Sequence, residues 1–292
     1  MKKWFLGLCL IWMTTPFANS LPEFYGPLKH VTIGNSNIAY YRFGEGKPLV
    51  MITGHGDSMS MWHPEFLKRI SKIRQIIMFD YPGIGESTTT GSYPNTMDQL
   101  SKLVQSFIES QKLDKPDMLG FSMGGSLLLY MTTQYGTQYD HIIVIGAKAG
   151  GKKTVAPEAM YFNMLADPHT SPAVEIKTLL FPADATKQAD AYLNILSQFP
   201  PQKMNADALK AQAAAVTGEN QGPGIWSLLP GIKNKVLVIS GTDDVLSPVQ
   251  NAVTIAAAIP GSWLVQVKDA GHGVLFQEPV FISELVEFFI NN

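Results

Sequence analysis

Three residue types that together can activate a hydroxyl occur in the order serine, aspartate, histidine. Ser122 sits in GFSMGG (120–125), two neighbouring acids, Asp243 and Asp244, sit in GTDDVLSP (241–248), and His272 sits in DAGHGVLFQEP (269–279). A hydroxyl is a weak nucleophile until a base takes its proton, and the base must be oriented by a third group, here a carboxylate. The chemistry that follows is acyl transfer: attack on a carbonyl, a covalent acyl intermediate, and its release to water. Negative charge then builds on the carbonyl oxygen and calls for backbone N–H donors. Met123, the residue after the serine, supplies one. The second is expected from the loop ITGHGDSMSMW (52–62), where Gly54 and Gly56 let backbone approach and Asp57 carries the candidate N–H. His55 in that loop reads as structural, because His272, between Gly271 and Gly273, is expected to stand exposed and better placed.

Each of these turns needs a strand before it. PDMLGF precedes Ser122 and the run MGGSLLLYMTTQYG follows with a helical pattern, so the serine falls on a strand-to-helix turn whose glycines relieve crowding. KVLVIS precedes the two acids, with Ser247, Pro248 and Gln250 reading as a helix start. WLVQV precedes His272, and 279–290 reads as a final helix. Upstream, VTIGNSNIAYYRF reads as a hairpin about Gly34-Asn35, and PLVMIT and QIIMFD as buried strands. Trp62, Phe66, Ile70 and Ile73 have helical spacing, and Thr96 with Gln99 forms a capping box for a helix over 96–111. Strands alternating with helices predict an α/β fold with a mostly parallel sheet covered on both faces. The alternation breaks over 152–232, a stretch rich in Ala, Met and Pro with helix candidates AMYFNMLA, ADAYLNILSQF and DALKAQAAAV. It is too long for a plain connection and reads as a helical insertion between two strands.

Composition sets limits. The chain has 292 residues, 46% hydrophobic and 16% charged, with a net charge of −2. Such a charge gives no reason to expect a nucleic acid or an acidic membrane surface as partner. The N-terminal MKKWFLGLCLIWMTTPFANS has two lysines, an apolar core and small residues at Ala18 and Ser20, the layout of a secretory signal peptide cleaved after Ser20. Its apolar core of about ten residues falls short of the about 20 a bilayer requires, so no stable membrane insertion is expected after cleavage. The expected location is the periplasm or the exterior. Cys9 is the only cysteine, so the mature chain would hold no disulfide and no thiolate metal site, and the six His form no short-spaced metal cluster.

Taken together and in this order, GHGDSMSMW, DYPGIGES, GFSMGG, GTDDVLSP and AGHGVLFQEP resemble the α/β-hydrolase superfamily, and more narrowly its single-domain bacterial serine hydrolases with a helical cap. The resemblance extends in layout over about 30–290 and rests on those five motifs. It implies an eight-stranded, mostly parallel sheet built from 21–151 and 233–292. It also implies that 152–232 is the cap, between the sixth and seventh strands and over the site. In that family the acid stands third after the turn glycine, which implies Asp244 as the triad acid and leaves Asp243 to turn geometry. Asp80 and the glycines of DYPGIGES are then structural.

The expected function is an exported serine hydrolase acting on a small to medium apolar carboxylic ester or related small-molecule acyl compound, with Ser122, His272 and Asp244 as triad. Met123 and Asp57 N–H groups would hold the oxyanion. No cofactor and no metal is required. Acyl transfer to another acceptor, or perhydrolysis, would use the same triad. A non-catalytic small-ligand binder on the same fold is the reading from a different class. Carbon–carbon bond hydrolysis of anionic substrates is disfavoured, since Arg42, Arg69 and Arg74 are the only arginines and none lies in 152–232 or after it.

Overall fold

The computed structural model describes residues 23–166 and 169–292. The expected signal peptide lies outside the described residues. The chain runs β1 (Lys29–Ile33), β2 (Ser36–Phe43), β3 (Pro48–Ile52), α1 (Pro64–Ile70), β4 (Gln75–Phe79), β5 (Thr88–Thr89), α2 (Met97–Ser110), β6 (Asp117–Phe121), α3 (Met123–Tyr135) and β7 (Ile142–Ile145). Four helices follow without a strand among them: α4 (Ala159–Ala166), α5 (Pro172–Leu180), α6 (Thr186–Leu196) and α7 (Ala206–Gln221). The chain then returns to the sheet through β8 (Val236–Gly241), α8 (Gln250–Ala258), β9 (Trp263–Val267), α9 (Val274–Gln277) and α10 (Pro279–Ile290).

One open sheet carries the fold, in the order β1-β2-β4-β3-β6-β7-β8-β9, with β5 a short ninth strand paired to β2. The first three neighbours along this path pair antiparallel, and from β4 to β9 all pairs are parallel. Eight of these strands match the number that the family resemblance implies, among them β7 within the apolar run HIIVIGA (141–147). Thr88–Thr89 escapes because it is two polar residues, held by register against Ser36 and Asn37 rather than by any apolar pattern.

The parallel strands are near-continuous apolar runs because both of their faces are covered. Successive residues serve opposite faces. Leu49, Met51, Leu119 and Phe121 pack in one core with Phe66 and Ile70 of α1 and Ile282, Val286 and Phe289 of α10. Val50, Ile52, Met118 and Val144 pack in the other with Leu100, Val104 and Phe107 of α2, Leu127 of α3 and Ile255 of α8. Each such side chain, fully buried, contributes about 1.5–3 kcal/mol, and the two layers clamp the strand ends in fixed register.

Several local expectations need correction. Trp62 precedes α1 rather than opening it; His63 is the cap, its Nδ1 accepting from Glu65 N–H at 3.2 Å, and the helix stops at Ile70. Ser247 does not cap α8. Its Oγ donates to Ala147 O at 3.0 Å, and α8 begins three residues later. Helix α5 starts at Ser171-Pro172, outside the helix candidates named above, with Ser171 Oγ accepting from Val174 N–H.

Candidate active site

Ser122 stands between β6 and α3 with φ 54° and ψ −120°. This is strained backbone for a residue with a side chain, costing about 1–3 kcal/mol. Two glycines make it possible. A Cβ on Gly120 would lie 2.4 Å from Gly124 O, and one on Gly124 would lie 2.4 Å from both Ile52 O and Thr53 O. Ser122 N–H donates to Ile145 O at 2.8 Å, fastening the turn to the neighbouring strand.

His272 follows β9 and is buried, at 2% exposure, rather than exposed as its flanking glycines suggest. Those glycines admit another chain segment instead. Gly273 N–H donates to Leu180 O at 2.7 Å, and a Cβ on Gly271 would lie 2.6 Å from that same oxygen. On its far side the ring meets Gly146, at φ +61°, where a Cβ would come within 2.8 Å of His272 Cε1. Phe121 packs against it with ring centroids 5.1 Å apart.

Ser122, His272 and Asp244 come together. Ser122 Oγ lies 2.8 Å from His272 Nε2, and His272 Nδ1 lies 2.8 Å from Asp244 Oδ2. Asp244 Oδ1 accepts N–H from Leu246 at 2.9 Å and from Ser247 at 2.6 Å. With the carboxylate accepting a hydrogen bond from Nδ1–H, Nε2 is left as acceptor for the serine O–H. Asp243 does not join them. Its N–H donates to Ala270 O and its exposed carboxylate accepts from Thr242 Oγ1, which closes the turn.

The loop after β3 faces Ser122 through Gly54, where a Cβ would lie 3.2 Å from Ser122 Cβ and 2.6 Å from Asp57 Oδ2. The backbone N–H groups of His55, Asp57 and Met123 meet no protein acceptor among the described residues. Met123 opens α3, whose first N–H groups have no helix carbonyl to bind. His55 is structural in its side chain, Nε2 meeting Leu209 O at 3.1 Å, and Gly56 N–H donates to Gln212 Oε1 at 2.8 Å. Both contacts tie the loop to α7. Sequence reasoning missed the Asp57 carboxyl group, which faces the same cavity. Its enclosure pushes it up to about 7, against the field of His272 and a bond from Gly54 N–H, which lower it.

A cavity of about 620 Å³ opens over Ser122, within the usual range for small-molecule sites. Met61, Phe121, Ile176, Leu179 and Leu180 give it an apolar wall, while Lys148 and Glu219 are charged groups on its lining. Burial lowers Lys148 and pushes Glu219 up to about 8. No arginine lines the cavity. Arg42 binds Gln75, Arg69 binds Glu65, and Arg74 binds Asp117.

Among the described residues one acidic and imidazole grouping has the spacing of a metal site: Asp117, Asp140 and His141, at the opposite end of the sheet. Lys47 pairs with both aspartates and Arg74 with Asp117, so two cations already occupy the place a third would need. No helix among the described residues is long and apolar enough to cross a membrane.

Known proteins share this layout. A family model described as the alpha/beta hydrolase fold matches residues 47–279. The 2-hydroxy-6-oxononadienedioate/2-hydroxy-6-oxononatrienedioate hydrolase 1 of Pseudomonas putida is 24% identical, over 88% of this chain and 92% of its own length. An alpha/beta hydrolase fold protein from Chitinophaga pinensis superposes with a TM-score of 0.81 at 24% identity, covering 91% of this chain and 98% of that one. The enol-lactonase of Burkholderia xenovorans LB400 superposes with a TM-score of 0.74 at 21% identity, covering 90% and 100%. The matched span includes every turn that carries Ser122, Asp244 and His272, and the chain belongs to the alpha/beta hydrolase fold family.

Proposed function

We propose that this α/β hydrolase is a serine hydrolase cleaving a small to medium carboxylic ester with an apolar skeleton. The observation that carries the reading is the unbroken chain of short contacts from Ser122 Oγ through His272 to Asp244, beneath a mostly apolar cavity. Ser122 Oγ attacks the carbonyl carbon as His272 Nε2 takes its proton. Asp244 holds the ring in the required tautomer and offsets its charge. The oxyanion grows toward Met123 N–H and the unpaired N–H groups of the loop, those of His55 and Asp57. The leaving alkoxide takes the proton from His272. Water, deprotonated by the same nitrogen, then releases the acid from Ser122.

An ester carrying at most one free carboxylate fits better than the dienedioates named for the Pseudomonas putida relative, because no arginine fork faces the cavity to clamp a pair of carboxylates. The enol-lactonase, whose named substrate class is itself a cyclic ester, supports the same direction. Export through the N-terminal segment is part of the proposal, resting on its charge and apolar layout alone. The same triad would serve acyl transfer or perhydrolysis if an alcohol or peroxide competed with water.

A chain-length series of 4-nitrophenyl esters, with products analysed in the presence of added alcohol or peroxide, tests the reading. Hydrolysis that peaks at a particular acyl length is expected. Absence of Ser122-dependent activity across the series, with no labelling by a fluorophosphonate, would turn the reading toward a binder.

A further inference from the structure

Two side chains on the cavity lining have no part in the triad chemistry. Lys148 lies three residues after β7 and Glu219 near the end of α7. Both are held in place by backbone. Lys148 N–H donates to Ser126 Oγ at 2.9 Å, and Gly151 N–H donates to Glu219 O at 3.0 Å. Between them Ala149 O takes Ile225 N–H at 2.9 Å and Gly150 O takes Trp226 Nε1–H at 2.6 Å. Gly150 is required there, since a Cβ would lie 2.5 Å from Glu219 Cγ.

Despite this fixed placement, neither charged end is partnered. The Lys148 ammonium makes no hydrogen bond or ion pair among the described residues, and Glu219 Oε1 is buried without a partner. The Lys148 ammonium feels the field of Asp244 first and then that of Glu219, and Glu219 feels the field of Lys148, but neither acid joins it in an ion pair. A lysine and a glutamate left free would pair; held apart on one cavity wall, they leave two polar groups that a ligand must satisfy.

We propose that Lys148 and Glu219 form a subsite for a free carboxylate that the substrate carries in addition to its scissile ester, in the cavity that Thr217 and Asn220 also line. The ammonium donates a charge-assisted hydrogen bond. Glu219, which burial keeps protonated up to about pH 8, donates a second through its O–H. A cation there would meet the ammonium directly. An alkyl end would leave both polar groups desolvated and unbonded. The subsite rests on the serine-hydrolase reading for the bond cleaved and adds what the substrate carries.

The test uses three 4-nitrophenyl esters of similar length ending in a carboxylate, a methyl and an ammonium: the hydrogen adipate, the hexanoate and the 6-aminohexanoate. The full-length protein is expected to favour the carboxylate over the methyl by about tenfold or more in kcat/KM. Lys148→Met, and independently Glu219→Leu, should bring that ratio down toward one, and Lys148→Arg should keep part of it. Equal rates for the first two esters, or preference for the ammonium, overturns the subsite while leaving ester hydrolysis standing. If no ester is turned over, calorimetry on Ser122→Ala decides. Tighter binding of the carboxylate supports the subsite although the hydrolase reading has failed, and no preference overturns it.

Discussion

Ser122 Oγ and His272 Nε2 lie 2.8 Å apart although 150 residues separate them in the chain. The contact is made by the ends of two strands, β6 and β9, that are not neighbours in the sheet. Parallel register aligns their carboxyl ends across β7 and β8, and Gly146, just after β7, leaves the gap into which the imidazole fits. Removing the proposed nucleophile gives the first expectation. Ser122→Ala should lower kcat by about 10⁴-fold or more, by analogy with other triads. Burst kinetics and fluorophosphonate labelling should vanish with it, while the thermal melt stays close to that of the parent.

The adjacent acids make a paired test. Asp244→Asn keeps an Oδ1 that can accept from Leu246 and Ser247, so the turn should hold. The amide, however, presents the wrong partner to His272 Nδ1, and kcat should fall by about 10⁴. Asp243→Asn, on the surface, should stay within about twofold. Steady-state rates of the two purified variants decide it; a larger loss at Asp243 would reverse the assignment.

Gly124→Ala should damage the fold as well as the site. Its methyl would press on two backbone carbonyls that cannot swing aside. A loss of about 3 kcal/mol in denaturant unfolding is expected, at the upper end for overpacking. Gly218→Ala, on α7 with open space around its Cβ position, is the control and should not destabilise.

Asp57, Asp80 and Glu219 tie stability to pH, burial pushing Asp80 as well up to about 7. An unfolded aspartate loses its proton near about 4, whereas Asp57 in the fold keeps its proton to about 7. Between those values the folded chain binds more protons than the unfolded one, so stability falls as pH rises through that window and levels above it. Glu219 extends the fall to about 8. Thermal melts from acid to mildly alkaline pH should show this slope, and Asp57→Asn should lessen it, Asp80 and Glu219 keeping the rest, and raise Tm at the alkaline end. Activity should follow. Above about 7 the Asp57 carboxylate places negative charge beside the position where the oxyanion grows, so kcat should decline and Asp57→Asn should carry activity to higher pH. An alkaline limb unmoved by that substitution would assign the decline to another group.

Much of this was legible in the residues. The turns around Ser122, Asp244 and His272 follow strands whose apolar runs identify them, and α4 and α10 were marked by uninterrupted helical stretches. The choice of Asp244 over Asp243 rests on resemblance; in the structure the Asp244 carboxylate is buried between an imidazole and two N–H groups, and that of Asp243 faces water. What stayed hidden depends on distant chain. Nothing local says that Gly271 and Gly273 serve to admit Leu180, that Ser247 would turn its hydroxyl to Ala147, or that the Asp57 side chain would share the cavity. Those are long-range contacts, and a pattern read along one segment does not contain them.

Helix α7 is fastened at both its flanks, to the β3 loop through His55 and Gly56 and to the β7 loop through Gly151. Helix α4 packs on α5 and leaves Met160 and Phe162 largely in solvent, with Phe162 also at the cavity lining. The cavity therefore has one wall anchored by backbone bonds and another built from largely exposed side chains. Discrimination by a substrate's polar end is built into the anchored wall, at the same backbone bonds that hold the fold. Discrimination by bulk resides in α4, where side chains can be exchanged at little cost to the core, so the two selectivities can drift, or be engineered, independently.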